Sequence, residues 1–469
     1  MRKIVTLWLG VLMFWASGAQ ERNMARLGLV DTSFVDVSMG MEMETGSLKD
    51  LYAPETLVRG VLDATSRQKI GQVSLYGHFG YGYGYGWGST WRGWIDPSET
   101  PFMLADSIPG TISLEKYALE AGAAVPLGGG WTAGIDAAYT VSLMAKHKDL
   151  RNKNTGMIFR VAPGVMWQGR RFGIGLDAGY ERGTERVEYA QISENVEQVL
   201  FELYGLWLYH ASGYASAETR RFKENDRYHA GLQLDFRSGS VRLHNDLRAE
   251  WLQGIQTEVG YNNLRHGDVR SLTWSDVFSV KIGTAHEIEA AARFSTMQGF
   301  RPLQRQELDP DSRIRVWVSY GDPVFCYWRQ YHQEQVHYTY GTSWRLTLGA
   351  ENWGMQHSYT EYPQRFSQRL GCLTPTVAAS IPAGCFEVAP RIGFAKVYGA
   401  ESGESQWQLA EPLQQQWDYW TCDKILADLQ VKWTQASGRW GLVARYGLEA
   451  TPSFAASRHT ASLVLRYTF

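Results

Sequence analysis

The sequence predicts an all-β protein, a closed antiparallel transmembrane β-barrel of about 18 strands, with about 14 or 16 as alternatives. Three observations predict this fold. Apolar and polar residues alternate over runs of about 10 to 14 residues, which is the length of a tilted membrane-crossing strand. Short turns alternate with long connections, and the last segment is an alternating strand that ends in phenylalanine.

The composition fits strands and turns. The 469 residues include 19 Trp, 25 Tyr, 18 Phe and 48 Gly but only 15 Pro. With 44% hydrophobic residues the chain is not a disordered tail, and the net charge of -2 gives no electrostatic reason to expect a nucleic-acid partner.

The N-terminus has the pattern of a secretory signal peptide. Two basic residues precede the apolar run 4–15, and the small residues Ser17 and Ala19 follow at the spacing of a cleavage site. The apolar run is too short to cross about 30 Å of hydrocarbon as a helix. We therefore expect residues 1–19 to be removed.

The mature chain then divides into two parts. We expect residues 20–33 to form a periplasmic N-terminal segment and residues 34–469 to form the barrel in the bacterial outer membrane. After Gln20 no apolar run reaches the length of about 18 residues that a membrane helix needs, so strands must do the crossing. The oxidising compartment permits disulfides, and the sequence leaves open whether the four cysteines pair.

Alternation assigns a face to each residue of the clearest strands. One face is apolar and the other polar in Phe34 to Glu44, Trp131 to Met144, Phe172 to Tyr180, Tyr228 to Arg237, Ile425 to Trp433 and Trp440 to Glu449. The apolar face often begins or ends with Trp or Tyr, as interfacial girdles do. We expect this face to contact acyl chains.

The polar face carries charges of both signs that would meet in one interior. In a barrel these charges line a hydrated lumen, where they admit or exclude solutes by size and field. The alternative is that they pair structurally within the wall. The residues that we single out as lumen charges are Asp36, Asp136, Asp177, Arg242, Asp246, Arg248, Arg293, Asp428, Arg445 and Arg466.

The connections predict two different ends. Short turns are expected at 128–130, 168–170, 237–239, 283–284 and 437–438, and long loops at 85–111, 187–226 and 298–327. Short turns on one side and long loops on the other are typical of bacterial outer-membrane barrels. An even strand number places both chain ends in the periplasm.

The final strand carries an assembly signal. Its apolar face ends with Tyr467 and Phe469, and this arrangement resembles the recognition strand of outer-membrane barrels. The resemblance implies insertion by the barrel assembly machinery.

A narrower resemblance rests on three segments, Trp94-Ile95-Asp96-Pro97, residues 148–154 and residues 161–166. Together with the barrel pattern they resemble a Bacteroidota outer-membrane β-barrel family of undefined function. The resemblance implies location and architecture, and an association with TonB-dependent receptors and surface lipoproteins. It brings no catalytic motif.

A search for chemistry finds no set of residues to assign. His332 and Glu334 would share a strand face while His337 points the other way, so a zinc trio fails. Five further histidines have acidic or hydroxyl neighbours without a distinctive spacing, namely His78, His210, His244, His286 and His357. We expect no catalytic residues, no metal, no cofactor and no enzymatic activity.

Residues 80–88 alternate glycine with aromatic residues and lack the Lys and Ser/Thr of a phosphate loop. We expect the glycine track Gly80, Gly82 and Gly84 to face the lumen, where it leaves room for close approach of an inward-folded loop, 91–105. The alternative is an aromatic edge of the outer girdle without a role in the lumen.

The long loops carry aromatic residues that we expect to be exposed. Such residues grip a sugar, a lipoprotein or lipopolysaccharide, or else cover the lumen. They are Trp207, Tyr209, Tyr214, Trp407, Trp417, Tyr419 and Trp420.

The sequence therefore predicts an outer-membrane barrel in solute passage or surface binding, in contact with outer-membrane lipid and lipopolysaccharide. One alternative is a non-conducting barrel subunit in a complex with a TonB-dependent receptor or surface lipoproteins. A second is a hydrolase at the barrel rim. A TonB-dependent receptor itself is disfavoured, since the chain is too short for about 22 strands and a folded plug.

Overall fold

The computed structural model describes residues 23–30, 32–192, 198–214, 219–258, 264–310, 313, 315–360, 366–403 and 408–469, with the backbone alone for 210–214. The expected signal peptide lies outside the described residues and stays a prediction.

The chain forms a closed antiparallel β-barrel of 18 strands. Each barrel strand pairs with the next one along the chain, and the first pairs with the last, so the sheet has no free edge. The fold class and the preferred strand number are confirmed. The barrel strands are β1 (Phe34–Gly46), β2 (Thr56–Ile70), β3 (Val73–Ser89), β5 (Gly110–Gly128), β6 (Trp131–Lys146), β7 (Arg151–Gln168), β8 (Phe172–Ala190), β11 (Thr219–Ser238), β12 (Val241–Glu258), β13 (Arg265–Ile282), β14 (His286–Leu308), β15 (Arg315–Tyr340), β16 (Arg345–Tyr359), β17 (Phe366–Ala383), β18 (Phe386–Ser402), β19 (Lys424–Thr434), β20 (Trp440–Thr451) and β21 (Ala456–Thr468).

The two-residue period separates an outer from an inner face. In β1 the alternating Met39, Met41 and Met43 are 60%, 62% and 43% exposed on the outside, while Asp36 points inward. Large apolar side chains are likewise exposed on the outer face of strands around the whole barrel. The apolar surface is therefore outside, as the alternation predicts.

The two ends of the barrel differ. At one end, here called the turn end, β2 and β3 are joined by residues 71–72 and β5 and β6 by residues 129–130. At the other, the loop end, longer segments connect the strands. One predicted loop is wrong: most of 298–327 is strand, because β14 and β15 continue to a pairing of Leu308 with Arg315.

Long connections at the loop end fold into the barrel. Three short strands, β4 (Met103–Ala105), β9 (Gln198–Leu203) and β10 (Tyr209–Tyr214), form a small antiparallel sheet, and helix α1 (Ala410–Thr421) lies beside it. Residues 90–109, β9, β10 and α1 are called the plug from here on. A 3-10 helix, Pro97–Glu99, lies in its first segment.

A second 3-10 helix, Met24–Leu29, lies within the segment expected to be periplasmic. The Asn23 side chain caps it by accepting a hydrogen bond from the Ala25 N–H. The helix contacts the inner face of β5, β6 and β7. In the part of the chain that the structure describes, no helix is both long and apolar enough to cross a bilayer.

Candidate functional site

The plug has an aromatic core of its own. Trp94 and Phe102 are 0% and 1% exposed, and the Trp94 indole N–H donates to the Phe102 carbonyl at 3.0 Å. A Cβ added to Gly267 of β13 would lie 2.3 Å from the Phe102 ring. Because residue 267 is a glycine and has no side chain, the Phe102 ring can pack directly against the backbone of the wall.

Ion pairs fix the tip of the first plug segment to the wall. Glu99 lies 3.2 Å from Arg227 and 3.4 Å from Lys223, both on β11. Lys223 also lies 3.0 Å from Glu185 of β8 and 5.1 Å from the centre of the Trp94 ring. Because Lys223 is almost fully buried, losing an acidic partner would leave a poorly compensated charge inside the barrel.

Strand β9 is anchored by a second network. Glu202 lies 2.7 Å from Arg221 and 2.8 Å from His266, and His266 also lies 2.9 Å from Glu258. Burial raises the pKa of Glu202, but Arg221 and His266 lower it by more, so the pKa of this carboxyl lies well below its usual range. Glu202 is therefore held ionised between the plug sheet and the wall.

Helix α1 contacts the opposite side of the barrel wall, at β16 and β19. The Tyr419 ring lies 3.7 Å below the Lys424 ammonium of β19, and Trp420 lies 5.7 Å from the His357 ring of β16. Gln416 accepts a hydrogen bond of 2.7 Å from the Trp207 indole, which ties the helix to the plug sheet.

The plug consequently touches most of the barrel wall. The wall residues that it contacts, besides those on β11, β16 and β19, are Lys146 of β6, Asn154 of β7, Tyr189 of β8, Gln256 of β12, Gly267 of β13, Gly299 of β14 and Arg329 of β15.

A small cavity remains between the plug and the wall. It has about 60 Å³ of space, and its lining combines buried aromatic rings with charges of both signs, among them Asp50, Arg92, Asp96 and Arg329. Such a volume and polarity suit several ordered water molecules.

Several of the expected lumen charges are paired, either with a residue of the neighbouring strand or, for Asp177 of β8 and Arg248 of β12, across one intervening strand. Asp136 lies 2.9 Å from Arg160, Asp177 lies 3.0 Å from Arg248, and Asp428 lies 4.0 Å from Arg445. Asp36 accepts hydrogen bonds from Arg466 across the closing seam of the barrel. These contacts support the alternative of pairing within the wall.

The remaining lumen charges lie on the same inner face. Asp246 is buried, while Arg242 near the turn end and Arg293 of β14 are exposed to the interior. The inner wall as described thus carries both signs, and most of its acidic groups sit beside a basic one.

The glycine track lies on the inner face of β3, but the inward-folded loop packs elsewhere. The nearest atoms to a Cβ added at Gly80, Gly82 or Gly84 belong to β2, to β5 or to His78 of the same strand, and at Gly82 they are 3.8 Å away. The loop 91–105 instead approaches Gly156, Gly267 and Gly299. The loop therefore folds inward, as expected, but contacts β7, β13 and β14 and not the glycine track.

A different row of glycines receives the N-terminal helix. A Cβ at Gly122, Gly134 or Gly164 would lie 2.3 to 2.4 Å from Met24, Ala25 or Asn23, respectively. The Asn23 amide donates to the carbonyls of Val165 and Leu176. This contact surface could not be predicted from the sequence, because its glycines lie on three strands, β5, β6 and β7, that come together only in the folded barrel.

The expectation that the aromatic loop residues are exposed is wrong for three of them. Trp207, Tyr419 and Trp420 are 3%, 6% and 7% exposed, because their segments turn into the barrel. Trp417 is half-buried and Tyr209 is exposed. Trp407 and the side chain of Tyr214 lie outside the described part of the molecule.

The outer wall also carries polar side chains, and His332, Glu334 and His337 lie on the faces that their spacing predicts. His332 and Glu334 share the outer face at 3.0 Å, while His337 points inward. On β21, Ser457 and His459 lie two residues apart, and His459 also contacts Tyr446 of β20. The sequence could have shown the spacing of Ser457 and His459 but not the partner on the next strand.

The four cysteines are unpaired: Cys326, Cys372 and Cys422 are buried thiols and Cys385 is exposed.

The wall and plug together define the class of the molecule, an 18-stranded antiparallel barrel filled at one end by its own loops. The chain belongs to the family of unknown function DUF6850, which it matches over residues 24–469. No curated protein sequence matches it.

Solved structures similar to the chain are outer-membrane barrels. They include the outer membrane transporter YddB from Escherichia coli (7% identity, 92% of this chain and 81% of that chain, TM-score 0.43). BauA, the ferric preacinetobactin receptor from Acinetobacter baumannii, shares 10% identity over 94% of this chain and 80% of that chain, with a TM-score of 0.43. The copper transporter OprC shares 7% identity over 94% and 82%, with a TM-score of 0.47. The ligands in these names are those of the solved proteins and are not assigned to this chain.

Proposed function

We propose that the protein is an outer-membrane β-barrel whose plug closes the lumen, so that solutes pass only when the plug moves. The apolar outer face supports membrane residence, because side chains such as Met39 and Met41 are exposed over the belt where acyl chains would lie. The aromatic end of β21, Tyr467 and Phe469, would serve as the signal for the barrel assembly machinery.

The contact of the plug with wall strands around the barrel carries the proposal. A barrel of about 16 to 18 strands leaves an aqueous channel unless something fills it. Here Glu99 and Glu202 attach the plug to β11, and Tyr419 attaches it to β19 on the opposite side of the barrel. These attachments support the closed state that we propose for the plug.

The interior wall fits a passage for hydrated solutes. Its charges have both signs and lie in pairs such as Asp136 with Arg160 and Asp177 with Arg248. A lumen of this kind gives no strong field of either sign. Opening of the plug would therefore admit solutes by size more than by charge.

Conductance in a planar lipid bilayer tests the proposal. We expect the purified wild type to be closed, and a variant with residues 92–104 replaced by a short Gly-Ser linker to conduct ions steadily, because the linker removes the core and ion pairs of the first plug segment. The control is a variant of the turn at 435–439, which lies at the other end and should stay closed. A steadily open wild type would contradict the proposal.

A second candidate function is a non-conducting barrel subunit that docks an outer-membrane receptor or a surface lipoprotein. The hydrophobic core of the plug favours it, since residues such as Trp94 and Phe102 are completely buried and resist displacement. Copurification from the native membrane, combined with a linker variant that conducts and a wild type that never opens, would favour docking over gated passage.

A further inference from the structure

A serine, a histidine and a tyrosine form a connected set on the outer face of the barrel. Ser457 Oγ lies 3.2 Å from His459 Nε2, and His459 Nδ1 lies 2.7 Å from the Tyr446 hydroxyl. Both ring nitrogens of His459 therefore have a hydroxyl partner, and the two partners sit on opposite sides of the ring.

The barrel register explains how the three side chains meet. Ser457 and His459 are two residues apart on β21 and share a face, and the pairing of β20 with β21 brings Tyr446 opposite Ala461. The face is the outer one, because Tyr446 and Leu463 are 48% and 51% exposed there. Since β21 begins at Ala456, the set lies next to the loop end.

The position suits a substrate held in a bilayer. Leu448 and Ala450 of β20 pair with His459 and Ser457, and Ile425 of β19 pairs with Ala450 and is 50% exposed. These apolar side chains flank the hydroxyl and imidazole on one side of the same outer face, and Thr45 of β1 pairs with His459 on the other. A lipid beside this wall would place its acyl chains against the apolar residues and its linkage region near the serine.

The hydrogen bonds permit the tautomer that a general base needs. When Nδ1 carries the proton and donates to the Tyr446 oxygen, Nε2 is free to accept the Ser457 hydroxyl proton. A serine activated by an oriented histidine is the arrangement of nucleophilic acyl transfer. Ser457 and His459 would touch the reacting atoms, whereas Tyr446 would act as a positioning residue.

We propose that Ser457 and His459 hydrolyse carboxylic esters of membrane lipids. Ser457 Oγ attacks the ester carbonyl while its proton passes to His459 Nε2, the carbon–oxygen ester bond breaks, and the alcohol leaves with that proton. Water then attacks the acyl-serine, gives a proton to His459 and releases the fatty acid, after which Ser457 recovers its proton. The proposal rests on the membrane residence proposed above and is independent of the plug.

Other outer-face histidines provide comparisons. His147 Nε2 lies 3.2 Å from Ser113, and the structure describes no contact for its second ring nitrogen. His286 contacts the Tyr338 hydroxyl at 2.8 Å, and the structure describes no serine beside it. Ser113 is thus a matched control, a serine beside a histidine near the loop end without the orienting partner.

Two measurements on the full chain test the proposal. The first is labelling in detergent micelles with a fluorophosphonate, which forms a covalent adduct with activated serines, followed by peptide mass spectrometry. The second is fatty-acid release from vesicles of phosphatidylethanolamine and phosphatidylglycerol, with and without lipopolysaccharide. Comparing the two vesicle types distinguishes phospholipid esters from the acyl esters of lipopolysaccharide as the source of the substrate.

We expect an adduct on Ser457 and fatty-acid release that falls at least about a hundredfold in Ser457→Ala and in His459→Gln, while Ser113→Ala keeps the wild-type rate. Tyr446→Phe should lower kcat and leave KM unchanged, because it removes only the orienting hydroxyl. Heat-dependent mobility in electrophoresis confirms that each variant is a folded barrel.

The absence of both adduct and release in the folded wild type would overturn the proposal. Equal release by wild type and Ser457→Ala would also overturn it, since the activity would then belong to another enzyme. A steady open conductance in wild type, by contrast, would contradict the closed plug and leave this result unaffected.

Discussion

Among single residues, glycines decide where the N-terminal helix lies. Gly134 of β6 faces the backbone of this helix, and a Cβ there would lie 2.4 Å from the Ala25 nitrogen and 2.6 Å from the Met24 carbonyl carbon. Gly82 of β3 faces open space, with its nearest neighbour at 3.8 Å. Two glycines on the inner face of one barrel thus have opposite roles.

This contrast predicts different effects of the same substitution. Gly134→Ala should lower the free energy of unfolding by about 1 to 3 kcal/mol, because backbone atoms must shift to make room. Gly82→Ala should leave it within about 0.5 kcal/mol or raise it, since glycine costs conformational entropy in a strand. Urea unfolding in lipid vesicles measures both, and equal losses would contradict the assigned contacts.

The sequence predicted single residues well where period two governs them and poorly where partners come from other strands. Asp177 and Arg248 were placed on the inner face by alternation alone. Their contact at 3.0 Å requires the register of β8, β11 and β12, which the sequence does not contain. The contact of His459 with Tyr446 could not be predicted for the same reason, since it depends on the register of β20 and β21.

At the scale of elements, the plug shows how little a loop sequence says about direction. Aromatic residues such as Trp207 and Trp420 suit an exposed binding surface as well as a buried core. Whether such residues are exposed or buried depends on the space available inside the 18-stranded barrel, which the loop sequence does not show. Similarly, β14 and β15 continue to Leu308 and Arg315 although the sequence there lacks the apolar alternation that marked the other strands.

The Glu202 carboxylate of strand β9 predicts that acid loosens the plug. The pKa of Glu202 is lowered on folding, so its ionised form contributes stability that is present at neutral pH and is lost as the pH falls below about 4, the usual range of a free glutamate. We expect wild-type conductance to rise as the pH is lowered from about 5 to 3. Glu202→Gln should conduct more than wild type at neutral pH and respond less to acid.

The matched control is Glu307→Gln, because Glu307 pairs with Arg305 in an exposed position. This variant should titrate like wild type. An acid response that Glu202→Gln leaves unchanged would show that another group controls the plug.

For the whole molecule, the lipid-facing and water-facing sides of the wall follow from alternation, and they can be tested with neighbouring residues. In a Cys385→Ser background, which removes the exposed native thiol, a charged water-soluble maleimide should label Ser38→Cys at least about tenfold faster than Met39→Cys. Met39 is outward and 60% exposed, and Ser38 lies on the opposite face.

A lipid-soluble quencher should show the reverse preference for a fluorophore at the same two positions. Equal labelling and quenching would mean that water reaches both faces, and would contradict residence in a bilayer. This part of the structure could be predicted almost completely from the sequence. The alternation of apolar and polar residues predicts which face each strand residue lies on, and the number and length of the alternating segments predict the strand number.

The seam between β1 and β21 joins Asp36 to Arg466, which are 430 positions apart in the chain, and the Phe469 N–H donates to the Val35 carbonyl across it. Until the last strand has been exported, the edge of β1 that faces it can form hydrogen bonds only with water. Closure of the barrel is thus a late event in assembly, and a chain without the last hairpin leaves β1 and β19 each without one of the strands they pair with.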